Sequence, residues 1–263
     1  MMYAKKGIVI LAGDVGGMRM KITFLGSGDA FGSGGRLQTC ILVETGQTKF
    51  LLDCGASSQV AIRKNHINPN EIGTILLTHL HGDHFCGIPF FILDAQMISK
   101  RTAPLIIIGP VGAKQRILDA MEVMFPGSSR TEQKFLVDIR ELAAGSFADV
   151  EGLRVTPYPV SHPSGSPSTA LRVETAGKVI AYTGDTEWQD NLITAARGAD
   201  LLIAESYFFD KKVRFHLDYR TLMDHLDELQ AKRLVLTHMS DNMLSNLDNI
   251  SCDYADDGKV IEI

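Results

Sequence analysis

The densest chemistry in the sequence is one short run, Thr78-His79-Leu80-His81-Gly82-Asp83-His84, which carries three imidazoles and a carboxylate in a chain with only 8 histidines. Neutral imidazole nitrogen and carboxylate oxygen are the usual donors for zinc and similar divalent ions. Gly82 is expected to relax the backbone so that the loop folds back and aims its side chains at one centre. Three further candidates stand in similar local settings: His162 after Val160-Ser161, Asp185 after Tyr182-Thr183-Gly184, and His238 after Leu236-Thr237. Each follows an apolar, strand-like run by one or two residues, as His79 follows Ile75-Leu76-Leu77-Thr78. If those strands share an edge, the four endings converge where open sheets commonly bind ligands. Five His and two Asp exceed what one tetrahedral ion needs, and suit two ions roughly 3.5–4 Å apart with one carboxylate bridging. Alone, His162 or His238 would read as an ordinary polar residue at a strand end. The set of seven together points to metal.

The elements that must position this set are short and alternate in type. Strands are expected at 22–25, 40–43, 49–53, 74–78 and 105–108, and again at 155–160, 170–174, 179–183, 201–204, 234–237 and 260–263. Helical patterns fall at 57–64, 88–99, 114–124, 192–197 and 221–229. The third has Ile117, Leu118, Met121 and Met124 at helical spacing and is stopped by Pro126-Gly127. Two sheets packed face to face with helices outside would satisfy that order, an α/β architecture.

The chain has 263 residues, 45% hydrophobic and 22% charged, with 26 Lys+Arg against 31 Asp+Glu for a net charge of −5. That composition is globular and excludes a disordered or coiled-coil chain, and the acidic balance argues against a general nucleic-acid binder. No apolar run approaches the roughly 20 residues of a membrane span. Cys40, Cys54, Cys86 and Cys252 are far apart with no Cys-x-x-Cys spacing, so neither a disulfide framework nor a thiolate zinc site is expected. Lys5-Lys6 before the apolar stretch 7–12 has the outline of a secretory start, but no clear cleavage site follows. The expectation is a cytoplasmic protein in which residues 1–17 are an extension without a fold of their own and 18–263 form a single domain.

With this ligand order, the sequence resembles the metallo-β-lactamase superfamily from Met20 nearly to its end. The resemblance implies an αββα sandwich. It also implies that His79, His81 and His162 hold a first ion, that Asp83, His84 and His238 hold a second, and that Asp185 bridges them. Three stretches are most similar to ribonuclease Z and related phosphodiesterases: Phe50-Leu51-Leu52-Asp53-Cys54-Gly55 with Gln59, the histidine run continuing into Gly87-Ile88-Pro89, and Ile108-Gly109-Pro110. In that group a further histidine assists catalysis, and the matching position here is His216. The group's tRNA-gripping arm has no obvious counterpart, and its basic phosphate loop is reduced to Arg36 in the stretch Gly26–Arg36. A small or cyclic phosphodiester is therefore as much an expectation as RNA.

The chemistry implied is hydrolysis by a metal-bound hydroxide, since zinc lowers the pKa of bound water from 15.7 to about 7. Asp83 would orient the nucleophile, and His216 would protonate the leaving oxygen. Zinc is the first expectation for both ions, with manganese or iron as alternatives. Ser27 and Arg36, in the glycine-rich loop, and Ser166, after His162, are candidate substrate contacts. That loop could offer backbone N–H groups to an anion or be a plain connection. Lys211-Lys212-Val213-Arg214 could attract phosphate, although a solvated charge run is commoner. His66, His225 and Trp188 are given no role. Alternatives on the same metals are hydrolysis of another ester, a thioester or a lactam, and a non-catalytic scaffold. The resemblance also carries an expectation of a homodimer.

Overall fold

The computed structural model describes residues 19–263. The expected extension, 1–17, and residue 18 lie outside them. Six strands build most of the first sheet: β1 (Lys21–Gly26), β2 (Cys40–Glu44), β3 (Lys49–Leu52), β4 (Thr74–Leu76), β5 (Leu105–Gly109) and β6 (Val137–Glu141). Seven build the second: β7 (Ala148–Val150), β8 (Leu153–Pro159), β9 (Thr169–Thr175), β10 (Lys178–Tyr182), β11 (Leu201–Glu205), β12 (Leu234–Thr237) and β13 (Asp253–Tyr254). The last strand, β14 (Val260–Glu262), returns to the first sheet and pairs antiparallel with β1, Ile22 opposite Ile261. The spatial orders are β14-β1-β2-β3-β4-β5-β6 and β13-β12-β11-β10-β9-β8-β7.

The apolar runs are nearly continuous because both faces of each sheet are covered. Alternate residues divide between two cores. Ile41 and Val43 of β2, Phe50 and Leu52 of β3, Ile180 and Tyr182 of β10, and Leu201 and Ile203 of β11 meet between the sheets. Their neighbours Cys40, Leu42 and Leu51 face helices α1 (Ser58–Lys64), α3 (Gly87–Met97) and α4 (Ala113–Met124). On the other side Ala181, Leu202, Ala204 and Leu236 face the helices that follow Asp185, including α5 (Asn191–Ala196) and α6 (Tyr219–Asp224). The result is the expected αββα sandwich. The single helix expected over 221–229 is instead two, α6 and α7 (Leu226–Leu229), separated at His225, whose φ of −105° and ψ of 7° leave the helical region. Three strands went unread in the sequence. β6 and β7 are edge strands, half-buried and short, and β13 is a two-residue edge.

The strand ends that carry the candidate ligands do not share one sheet edge, the condition under which the sequence made them converge. His79 follows β4 in the first sheet, while His162, Asp185 and His238 follow β8, β10 and β12 in the second. They still converge, because β3, β4 and β5 run parallel in one sheet and β10, β11 and β12 run parallel in the other, with C-terminal ends at one end of the sandwich. The two sheets are joined there by the Thr169 N–H, which donates to the Thr78 carbonyl at 3.0 Å. No described helix is long and apolar enough to cross a membrane.

Candidate metal centre

The histidine run does not remain a loop. His81 is extended, and Gly82 opens a one-turn helix, α2 (Gly82–Phe85), that carries Asp83 and His84 into the interior. The constraint on Gly82 is space rather than left-handed backbone, since a Cβ there would lie 3.3 Å from the Cys86 Sγ. Gly184, at φ 56°, is the tighter case. A Cβ on it would come within 2.8 Å of the Thr78 Cβ, so this glycine lets the end of β10 close on the end of β4. That closure sets Asp185 beside His79.

All seven predicted residues meet. His79, His81 and His162 form one group of donor atoms, and Asp83, His84, Asp185 and His238 form another, each group within 4.8 Å. Asp185 touches both. Its Oδ2 is 3.9 Å from His79 Nε2 and 3.8 Å from His162 Nε2 on one side, and 3.4 Å from His238 Nε2 on the other, while its Oδ1 is 3.3 Å from His84 Nε2. Asp83 Oδ2 lies 3.3 Å from both His84 Nε2 and His238 Nε2. Among the described residues, several of these atoms are buried with no hydrogen-bond partner: His79 Nε2, His84 Nε2 and Asp185 Oδ1. Leaving a buried polar atom unpaired costs about 1–3 kcal/mol. Orphaned imidazole nitrogens and a carboxylate oxygen aimed at a shared point therefore fit cations rather than a packed core.

Three of the five imidazoles are oriented from behind, as metal ligands usually are. Thr78 Oγ1 sits 3.0 Å from His79 Nδ1, Asp53 Oδ2 2.7 Å from His84 Nδ1, and the Phe215 carbonyl 2.9 Å from His162 Nδ1. Asp53 also accepts from the Thr78 N–H and hydroxyl. Asp53 and His238 hold left-handed backbone, φ 57° and 55°, a conformation uncommon for non-glycine residues and often kept at functional sites. Burial pushes the Asp83 and Asp185 carboxyls up, but the imidazoles around them, His84 and His238, outweigh it and hold both below the ordinary carboxylate range.

His216 stands beside this centre, its ring 4.9 Å from that of His162. Its Nδ1–H donates to Glu205 Oε2 at 3.0 Å. Glu205 is fully buried and also accepts from the Thr186 and Leu217 N–H groups. Burial, with the neighbouring Asp185 charge, raises the Glu205 carboxyl. For His216, burial works downward, yet the Glu205 hydrogen bond and charge win and raise it above its ordinary value. Sequence reasoning missed the roles of Glu205 and Asp53. Both are acids that close an apolar strand run, Leu201-Leu202-Ile203-Ala204 and Phe50-Leu51-Leu52, so the rule that found Asp185 would have found them.

The expected substrate contacts are placed differently. Ser27 is fully buried, its N–H and hydroxyl both 2.9 Å from Asp257 Oδ1, and its carbonyl accepts the His238 N–H, so it anchors the backbone of a candidate ligand. Arg36 donates to the Ala255 carbonyl and pairs with Asp256. The Ser166 hydroxyl donates to the Val111 carbonyl. In the glycine-rich loop the N–H groups of Phe31 and Ser33 bond to Asp29, and that of Gly34 to Asp241, so the loop is an ordered connection with these donors already paired. Lys211, Lys212 and Arg214 are exposed. Trp188 stacks on His225, centroids 3.8 Å apart.

The family model described as anti-Pycsar protein Apyc1 matches residues 20–260. Ribonuclease Z of Enterococcus faecalis is 27% identical over 278 residues, covering 86% of this chain and 88% of that protein. The solved short form of human tRNase Z superposes with a TM-score of 0.74 at 28% identity, covering 92% of this chain and 98% of its own. The metallo-beta-lactamase fold protein YhfI from Bacillus subtilis superposes with a TM-score of 0.76 at 21% identity, over 93% and 99%.

Proposed function

This chain belongs to the anti-Pycsar Apyc1 family and carries the metallo-β-lactamase fold, and from that premise we propose a metal-dependent phosphodiesterase that cleaves small or cyclic phosphodiesters. The observation that carries the reading is the pair of donor groups meeting at Asp185 with His216 alongside. His79, His81 and His162 would hold one ion, Asp83, His84 and His238 the other, and Asp185 both. Zinc is favoured by the imidazole-rich donor set. When bound, such ions lower the pKa of water and neutralise charge on phosphate oxygens. Asp83 orients the attacking water from its place between His84 and His238. His216 has Nδ1 committed to Glu205, which leaves Nε2 to hand a proton to the departing oxygen. Buttressing by a buried carboxylate keeps the ring in one tautomer and favours its charged form.

A small substrate is supported over long RNA by the acidic net charge and by Arg36, the sole cation of the glycine-rich loop, being tied to Ala255 and Asp256. A cytoplasmic setting accords with the thiols Cys40 and Cys54, buried and unpaired. Homodimer formation belongs to the same proposal, supported by Phe90, Met97 and Val123 exposed on α3 and α4, and light scattering tests it. The functional test incubates zinc- or manganese-loaded protein with bis-p-nitrophenyl phosphate, a cyclic nucleotide monophosphate, an RNA hairpin, a thioester and a chromogenic lactam. Turnover of the first two is expected. Silence on both diesters beside brisk turnover of the thioester or lactam would overturn the proposal.

A further inference from the structure

Two residues past Glu205 and the end of β11, Tyr207 packs against the centre. Its ring stacks on His216, centroids 4.6 Å apart and planes 28° apart, and lies 5.9 Å from the His238 ring. The backbone is clamped on both sides. The Tyr207 N–H donates to the Leu217 carbonyl at 2.8 Å, and the Tyr207 carbonyl accepts from both the N–H and the hydroxyl of Ser240. Phe208 packs edge-on against the same ring at 4.8 Å. A side chain so fixed is pre-organised. Yet its hydroxyl makes no hydrogen bond among the described residues and is not sealed from solvent, on a side chain that is half-buried. A half-buried phenol usually finds a partner when one is in reach.

We propose that Tyr207 is a substrate-contacting residue, its phenol donating a hydrogen bond to an anionic phosphate oxygen while its ring holds His216 in line with the leaving oxygen. The two parts of the side chain separate cleanly in two variants. This inference rests on the phosphodiesterase reading, so the experiment carries a readout that does not need turnover: binding of inorganic phosphate to the metal-loaded protein by calorimetry.

Tyr207→Phe removes the donor and keeps the ring. A hydrogen bond to a charged group contributes about 1.5–3 kcal/mol, so phosphate affinity is expected to fall roughly tenfold to a hundredfold. The KM for a cyclic nucleotide rises in parallel, while kcat changes little and the pH profile keeps its shape. Tyr207→Ala also removes the ring. It is also expected to lower kcat on the cyclic nucleotide, whose leaving oxygen needs the proton, far more than on bis-p-nitrophenyl phosphate, a split that a purely structural loss, read as melting temperature and metal content, would not give. Phosphate affinity in Tyr207→Phe equal to the wild type overturns the donor role. Equal losses of kcat on the two substrates in Tyr207→Ala overturn the ring's role. A wild type that turns over no phosphodiester defeats the functional reading instead, and the phosphate titration still decides Tyr207.

Discussion

Replacing His216 by alanine separates proton donation from metal holding. His216 belongs to neither of the two donor groups and its inner nitrogen is held by Glu205, so its loss should leave both groups intact. A general acid contributes about 10²–10⁴-fold, but only where the leaving group needs the proton. A ribose alkoxide does; p-nitrophenolate leaves readily without one. The His216→Ala enzyme is therefore expected to lose about 100-fold or more in kcat on a cyclic nucleotide and less than about tenfold on bis-p-nitrophenyl phosphate. The substitution also strands the buried Glu205 carboxylate, at a cost of about 1–3 kcal/mol in stability. Adding Glu205→Gln should recover most of that stability without recovering the rate. The assay is steady-state kinetics on the two substrates at matched metal occupancy, with melting temperature beside it. Equal losses on both leaving groups, or a protein that no longer retains metal, would refute the assignment.

Three further outcomes follow from the same geometry. Because Glu205 raises His216, the donor stays protonated to higher pH and the rate falls only as pH passes its raised pKa; Glu205→Gln removes about 1.5–3 kcal/mol of charge-assisted bonding and should move that alkaline limb about 1–2 pH units towards acid, and a stationary limb in the pH–rate profile would break the link. Divalent metal at about 100 times its dissociation constant should stabilise by about 2.7 kcal/mol per ion, raising the melting temperature by about 5–10 °C each, reversed by a chelator; scanning calorimetry with and without metal checks it. Gly55→Ala should be severely destabilising, because its Cβ would lie 2.2 Å from the Asp83 carbonyl oxygen, and a soluble variant with wild-type melting temperature and metal content would contradict that contact.

The donor cluster was legible because its densest part is local: four candidate donors within six residues announce themselves in any fold. His162, Asp185 and His238 were legible through a weaker rule, a donor just past an apolar strand. What sequence could not show is which sheet each strand enters. Strands buried on both faces read as unbroken apolar runs, so the alternation that sends Phe50 and Leu52 to one core and Leu51 to another is hidden. A shared edge was the condition under which the four endings would converge, and two sheets ending at one side is the outcome. Ser27 and Arg36 show the converse case. Their types suited a phosphate, but Asp257 and Asp256, more than 200 positions away in the chain, already engage them. Partners so remote leave no local trace.

The account rests on two cations held by seven side chains drawn from both sheets, and the direct test is a crystal structure of metal-loaded protein with anomalous scattering recorded at the metal edge. Two peaks per chain are expected, one within bonding distance of His79, His81 and His162, the other of Asp83, His84 and His238, with Asp185 reaching both. No peak in that cluster at saturating metal, or peaks elsewhere with the seven side chains turned apart, would contradict it.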